Sequence, residues 1–265
     1  MKHYLKKQII IALIYLIILG AIGGGIYSLF IYSPASCFDG KLNQDEDEKD
    51  CGGICAACQE ELFSPNILWI KALPVGDGLY DIAAQIENRN VNYGSGMMPY
   101  NIKVYDSKGI QIGELKSRSY IMPREKKYVV GAISLAGAPA KVSLEFGTIE
   151  WKKFKLVESL NLPIFNQVID LSGKNSYAAF AQGTVYNQTR FDLDVIDIDV
   201  VVYDSVGNVI AVNKTQKNTM KSGEGRFFEV VWPQSFASDP SMIKIEQRAY
   251  TNIFSDANFI TTFIK

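Results

Sequence analysis

Hydrophobic positions follow three different patterns along the chain. From Ile9 to Tyr32 they are continuous: "IIIALIYLIILGAIGGGIYSLFIY" runs 24 residues without a charge. As a helix that run spans about 36 Å, more than the roughly 30 Å hydrocarbon core of a bilayer. It is longer than the apolar region of a cleaved signal, and "SPASC" gives no clean small-x-small cleavage site. An uncleaved transmembrane helix is therefore expected over 9–32, behind a tail at 1–8. From 33 to 62 apolar residues are sparse. Beyond Phe63 a period of two takes over. Ile196, Ile198, Val200 and Val202 alternate with Asp197, Asp199, Val201 and Tyr203, as in a strand with one buried face. Further strands are expected at 66–72, 79–88, 126–134, 141–151, 165–170, 176–186, 225–232, 242–250 and 258–264. No helical stripe of twelve residues follows residue 35.

The β-patterned portion contains a repeat. "IKVYDSKGIQIG" (Ile102 to Gly113) aligns with "VVVYDSVGNVIA" (Val200 to Ala211) at an offset of 98, which also carries Met122 onto Met220. Upstream, "YDIAAQIENRN" aligns with "YAAFAQGTVYN" at an offset of 97, pairing Asn90 with Asn187. A period near 100 residues points to duplicated domains, since solenoid units are about 20–50 residues long. In "YDSKG" and "YDSVG", Asp and Ser favour a turn and Gly accepts positive φ, so each copy should hold a hairpin there. Six or seven strands per copy predict an all-β fold of two tandem antiparallel immunoglobulin-like β-sandwiches after one N-terminal transmembrane helix. The first would occupy 63–151 and the second 165–265. A linker at 152–164 would seat Leu156, Leu160, Leu162 and Phe165 between them.

These segments resemble the FxLYD module and the related late-embryogenesis-abundant β-sandwiches, in which an apolar-x-apolar-Tyr-Asp strand end precedes a Gly turn. Here it is Ile102-Lys103-Val104-Tyr105-Asp106 and Val200-Val201-Val202-Tyr203-Asp204, with Ile or Val in the Phe and Leu slots. The resemblance spans roughly 66–262. It implies an immunoglobulin-like fold and an extracellular binding or structural role, and it transfers no catalytic residue.

Charge then orients the chain. Lys2, Lys6 and Lys7 precede the apolar run with no acid among residues 1–37, whereas residues 38–62 carry eight acids against Lys41 and Lys49. By the positive-inside rule the N-terminus is cytoplasmic and the rest lies outside the cytoplasm, in the cell membrane as a single-pass protein. The net charge of −1 leaves no basic footprint for nucleic acid. The one histidine, His3, lies ahead of the apolar run. The main body thus lacks imidazole for Ser-His-Asp or Cys-His catalysis, or for His-ligated zinc.

All four cysteines, Cys37, Cys51, Cys55 and Cys58, fall within 33–62. Outside the cytoplasm disulfides are the default for them, and a short acidic segment needs covalent bridges because it has no core. Three connectivities exist. A Cys55–Cys58 bridge would close a tight loop, which favours pairings that cross between the two halves. Zinc usually takes two C-x2-C claws and only one is present. A redox centre lacks its βαβ context. Lipidation at Cys37 meets Pro34 where an aliphatic residue is needed. Oxygens at Asp39, Asn43, Asp45, Glu46 and Asp50 offer a calcium set, but their spacing is not that of an EF-hand, and a solvated acidic turn is the plainer expectation. The stretch resembles a Cys-rich motif of bacterial exported proteins, C-x-D-G-x-x-N-x-x-E-x-x-x-D-C-G-G-x-C-x-x-C. It matches at Cys37, Asp39, Gly40, Asn43, Glu46, Asp50, Cys51, Gly52, Gly53, Cys55 and Cys58. That resemblance implies an extracytoplasmic juxtamembrane knot.

Remaining features have plain expectations. Asp192, Asp194, Asp197 and Asp199 should line the solvent side of an edge strand, where charge discourages aggregation; a cation bridging 197 and 199 is the sharper alternative. Tyr105 and Tyr203 should bond nearby backbone rather than form a ligand platform. Asn187 and Asn213 sit in glycosylation sequons. Two functions fit the whole pattern. One is a non-enzymatic anchored protein presenting two sandwiches for envelope structure, adhesion or protein–protein interaction. The other is a ligand-sensing or accessory subunit whose Gly20, Gly23, Gly24 and Gly25 patch meets a partner helix. A carboxylate hydrolase would need paired acids in a cleft.

Overall fold

A computed structural model describes residues 2–27, 36–43, 45–56, 58, 61–155, 160–173, 176–236, 239–255, 260 and 262. The chain forms two compact units, Met1–Glu61 and Leu62–Lys265. In the first, α1 runs over Lys2–Ile26, and an 18-residue window within its stretch Tyr4–Ile26 has a mean hydropathy of 2.7 with none of that window buried in protein. The helix starts earlier than Ile9 because Lys, Gln and Leu are good helix formers and nothing caps the run before them. Residues 28–32 of the expected span lie outside the described ones. One helix of this length and composition fits a membrane anchor or a signal sequence.

The second unit is built of antiparallel strands: β1 Asn66–Gly76, β2 Leu79–Glu87, β3 Tyr93–Tyr105, β4 Gln111–Ile121, β5 Lys126–Ser134, β6 Lys141–Phe146, β7 Lys152–Lys153, β8 Ile164–Asp170, β9 Ala179–Tyr186, β10 Leu193–Asp204, β11 Val209–Met220, β12 Gly225–Trp232 and β13 Ile243–Tyr250. They pair as β1-β2-β5, β4-β3-β6 with β7 on β3, β8-β9-β12, and β11-β10-β13. The same order is thus used on both sides of the 152–164 segment. Period-two burial is cleanest in β9, where every second side chain from Ala179 to Val185 is buried. Of the strand expected at 258–264, residues 260 and 262 are helical and the others lie outside the described residues.

Among the described residues, three apolar clusters hold this unit. One joins Ile82, Ala84 and Ile86 of β2 to Met98, Ile102 and Val104 of β3, with Ile121, Val129 and Leu144. A second joins Ala179, Ala181 and Val185 of β9 to Ile196, Ile198, Val200 and Val202 of β10, with Phe228 and Trp232 of β12. The third lies between the halves: Leu73, Ala83, Tyr128 and Val130 pack on Val201, Val209 and Val212, flanked by Trp69 and Tyr203. Each fully buried valine there stabilises by about 1.5–3 kcal/mol. The linker does not supply this contact. Leu160 and Leu162 close the second cluster instead, Phe165 is half exposed and stacks edge-on against Tyr186, and Leu156 lies outside the described residues.

Both expected hairpins are present with one shared design. Asp106 Oδ1 accepts the N–H groups of Lys108 (2.8 Å) and Ile110 (2.9 Å), and Asp204 Oδ1 accepts those of Val206 (3.0 Å) and Asn208 (2.7 Å). Gly109 and Gly207 complete the turns at φ 79° and 89°, which L-residues rarely adopt.

Candidate functional site

In the first unit the cysteines pair as Cys37–Cys55 and Cys51–Cys58, two interleaved bridges that leave Cys55 and Cys58 unlinked to each other. No free thiol remains, so none is left to ligate zinc or to exchange. The carboxylates of this segment hold its backbone. Asp50 accepts the Gly40 N–H at both oxygens (2.9 and 3.0 Å). Asp39 accepts the Lys41 N–H at Oδ1 (2.9 Å) and the Asn43 side chain at Oδ2 (3.0 Å). Glu46 Oε2 accepts the Asn43 N–H (3.1 Å). The Asn43 amide and the Lys41 N–H keep the Asp39 carboxyl below its ordinary range. Of the residues expected as calcium ligands, Asp39, Asn43, Glu46 and Asp50 are bound into these turns, while Asp45 sits at φ 59° and its carbonyl lies where a Cβ on Gly53 would fall. A Cβ on Gly52 would come within 2.6 Å of Asp47. The Gly-Gly pair is what lets the chain reverse inside the two bridges.

The second unit contains a polar cleft. Tyr100 of β3, Ser117 to Tyr120 of β4 and Lys127 to Val130 of β5 form one wall. Asp197 and Asp199 of β10 and Lys214, Thr215 and Gln216 of β11 form the other, around a cavity of about 460 Å³. Three side-chain bonds cross between the walls or beside them. The Tyr120 hydroxyl donates to Asp197 Oδ2 (2.6 Å), Lys214 Nζ donates to the Val130 carbonyl (2.9 Å), and the Tyr128 and Tyr203 hydroxyls share a hydrogen bond (2.8 Å).

Lys127 is the anomaly of this cleft. It shares a face of β5 with Val129 of the first apolar cluster, and its ammonium stays inside the protein. Only 4% of the residue is exposed, and Nζ has no hydrogen-bond partner. It lies 3.0 Å from the centroid of the Tyr120 ring and 4.8 Å from that of Tyr250. Burial pushes its pKa down, against the pull of Glu125, Asp199 and Asp197. Burial likewise pushes the Asp199 carboxyl up to about 7, with Lys127 opposing. Burial, and then the negative charge of Asp197, raises the pKa of the Tyr120 hydroxyl.

Several expectations change here. Asp197 and Asp199 do not face solvent on an edge strand. β10 is the central strand of its sheet, and Asp199 is only 6% exposed because the first half covers this face. Asp194 is exposed, and Asp192 accepts the Ser222 N–H (2.9 Å). Tyr203 bonds another tyrosine rather than backbone, and Tyr105 is half-buried at the end of β3. Asn187 is 0% exposed, and its amide donates to the carbonyls of Phe191 (2.7 Å) and Met220 (3.1 Å). That bonding leaves its sequon without an accessible acceptor nitrogen. Its counterpart in the first half is Asn88, which donates to Tyr93 and Met122, and not Asn90. Asn213 donates to the Val231 carbonyl (2.7 Å). The sequence did carry a signal for Lys127: counting back by two from Val129 puts a lysine on the inner face of β5.

No family model and no curated protein matches the chain. Among solved structures, a β-glucuronidase of Bacteroides uniformis is similar at 11% identity and TM-score 0.25, over 71% of this chain and 25% of that one. Bacteroides uniformis β-glucuronidase 2, covalently bound to cyclophellitol-6-carboxylate aziridine, is similar at 12% identity and TM-score 0.22, over the same shares. The chain spans about a quarter of the length of these enzymes. Likeness at this level assigns neither a fold family nor an activity.

Proposed function

We propose that the protein is a single-pass, membrane-anchored, non-enzymatic component of the cell envelope that presents two tandem immunoglobulin-like β-sandwiches outside the cytoplasm. They serve adhesion, envelope structure or protein–protein contact. The observation that carries this reading is the succession of an apolar helix at Tyr4–Ile26 and a doubly bridged segment at Cys37–Cys58. Structural disulfides persist in oxidising compartments, and the lysine-flanked end of the helix belongs on the cytoplasmic side. The FxLYD-like strand ends and the repeated strand order support a duplicated sandwich.

Non-reducing peptide mapping of the full chain purified from host membranes tests this reading. It should recover peptides linking Cys37 to Cys55 and Cys51 to Cys58 in the membrane fraction. Four alkylatable thiols in freshly broken cells, or recovery of the chain in the soluble cytoplasm, would contradict it.

A further inference from the structure

The two halves of the β-unit meet through unlike faces. The first half uses the outward face of β1-β2-β5, and the second uses the outward face of β11-β10-β13. There Ala83, Tyr128 and Val130 pack on Val201 and Val212. Trp69 stands beside Tyr128, with ring centroids 5.8 Å apart, and Lys214 Nζ reaches across to the Val130 carbonyl (2.9 Å). Each half thus commits one of its two sheets to the other half and keeps the outward face of its second sheet.

Strand register shows what stands on those two remaining faces. In the first half, Trp69 and Tyr128 flank Gln85 on adjacent strands; in β8-β9-β12, Phe165 and Phe227 flank Thr184 in the same way. The first pair lies at the contact between halves, whereas Phe165 and Phe227 are 49% and 57% exposed. Val168, 45% exposed, follows on the same face opposite Gln182. Large apolar side chains gathered on one exposed face mark an interaction surface, and aromatic ones are enriched at such surfaces. On β4-β3-β6, Lys103 stands two residues before the hairpin tyrosine Tyr105, as Val201 stands before Tyr203. Lys116 pairs with Asn101 as Lys214 pairs with Asp199.

Charge then favours one occupant. The β8-β9-β12 face carries Asp170 and Glu229 and, among its ladder-paired residues, no Lys or Arg. The β4-β3-β6 face carries Lys103, Lys116, Arg118 and Lys141 against Glu114 and Glu145. The two faces are therefore of opposite sign, which favours their meeting, while two β8-β9-β12 faces would set acid against acid.

We propose that a second copy of this chain docks its β4-β3-β6 face on the β8-β9-β12 face of the first, repeating between molecules the contact that joins the halves within one. Such a contact is heterologous. Each docked copy still offers one face, so association continues into rows of chains. It needs no membrane orientation, so its failure would leave the envelope reading intact.

The test is the mass of the full chain in detergent, read by light scattering as concentration is raised. Wild-type chain should exceed the monomer mass by about 100 μM, above the micromolar limit of interfaces of standard size. Phe227→Asp alters one face and Lys116→Glu the other, both at exposed positions. Each should weaken association about tenfold or more, with its melting temperature unchanged. Mixing the two variants should restore pairs, because the intact β8-β9-β12 face of one meets the intact β4-β3-β6 face of the other. If Phe227→Asp does not fold, Phe227→Ser takes its place in the same comparison. Three results would overturn the proposal: a wild-type chain that stays monomeric, a mixture that fails to pair, or association that survives in either variant. Survival in Lys116→Glu alone would be the mark of like faces pairing.

Discussion

One buried asparagine in each half pins a connection with its side-chain amide. Asn88 and Asn187 each tie the start of one connection to the end of a strand two elements away, through one amide that donates to two carbonyls. Replacing Asn187 with Ala strands the carbonyls of Phe191 and Met220. It should cost about 2–3 kcal/mol, read as a lower midpoint in chemical denaturation, and Asn88→Ala should behave alike. Asp199 gives a pH signature. Its carboxyl, ordinarily near 3.8, is raised to about 7 in the fold, so between about pH 4 and 7 the folded protein holds a proton that the unfolded chain has released. Stability therefore falls as pH rises through that window. The charged groups facing it are Lys127, Asp197, Lys214 and Glu125. From pH 5 to pH 8 the loss should be on the order of 2 kcal/mol, or about 5 °C in melting temperature for a chain of this size. Asp199→Asn should flatten the slope, and an unchanged slope would remove Asp199 as its source.

At the level of elements, the strands with one buried face were legible in the sequence and the faces where two halves meet were not. The limits of β12 match the expected 225–232 because its alternation is bounded by turn residues on each side. β10 is different: from Ile198 to Val202 every residue is buried, since one face packs on β9 and β12 and the other on the first half. Period two conveys which side chains share a face but not that a second surface will cover the other face. For that reason Asp197 and Asp199 looked like solvent residues, and the cleft they line could not be seen. The linker leucines misled in the opposite sense, because apolarity alone does not say which of two neighbouring cores will take them. Val201 offers a direct check of the shared face. Val201→Asp places an unpaired charge opposite Tyr128 and Val130 and should destabilise the unit by about 3 kcal/mol or more, read in thermal melts. Val206→Asp, at an exposed hairpin tip, should change little.

On the scale of the whole molecule, each compact unit is held by different physics. Among the described residues, the segment at 36–58 has two disulfides, turn-spanning carboxylates and no apolar cluster, whereas Leu62–Lys265 has three apolar clusters and its sequence contains no cysteine. A reductant should therefore expose residues 37–58 to protease while leaving the thermal transition of the β-unit in place; loss of that transition on reduction would mean the two units fold as one. A lysine-flanked apolar helix, a doubly bridged segment and a β-unit follow one another along the chain, and the proposed function places the last two in an oxidising exterior. The most direct measurement of that claim is protease added to intact host cells from which any outer barrier has been stripped. The account expects the β-unit to be released or degraded while a fragment containing Tyr4–Ile26 stays in the membrane. A chain that remains whole until the membrane is dissolved, with its cysteines reduced, would contradict it.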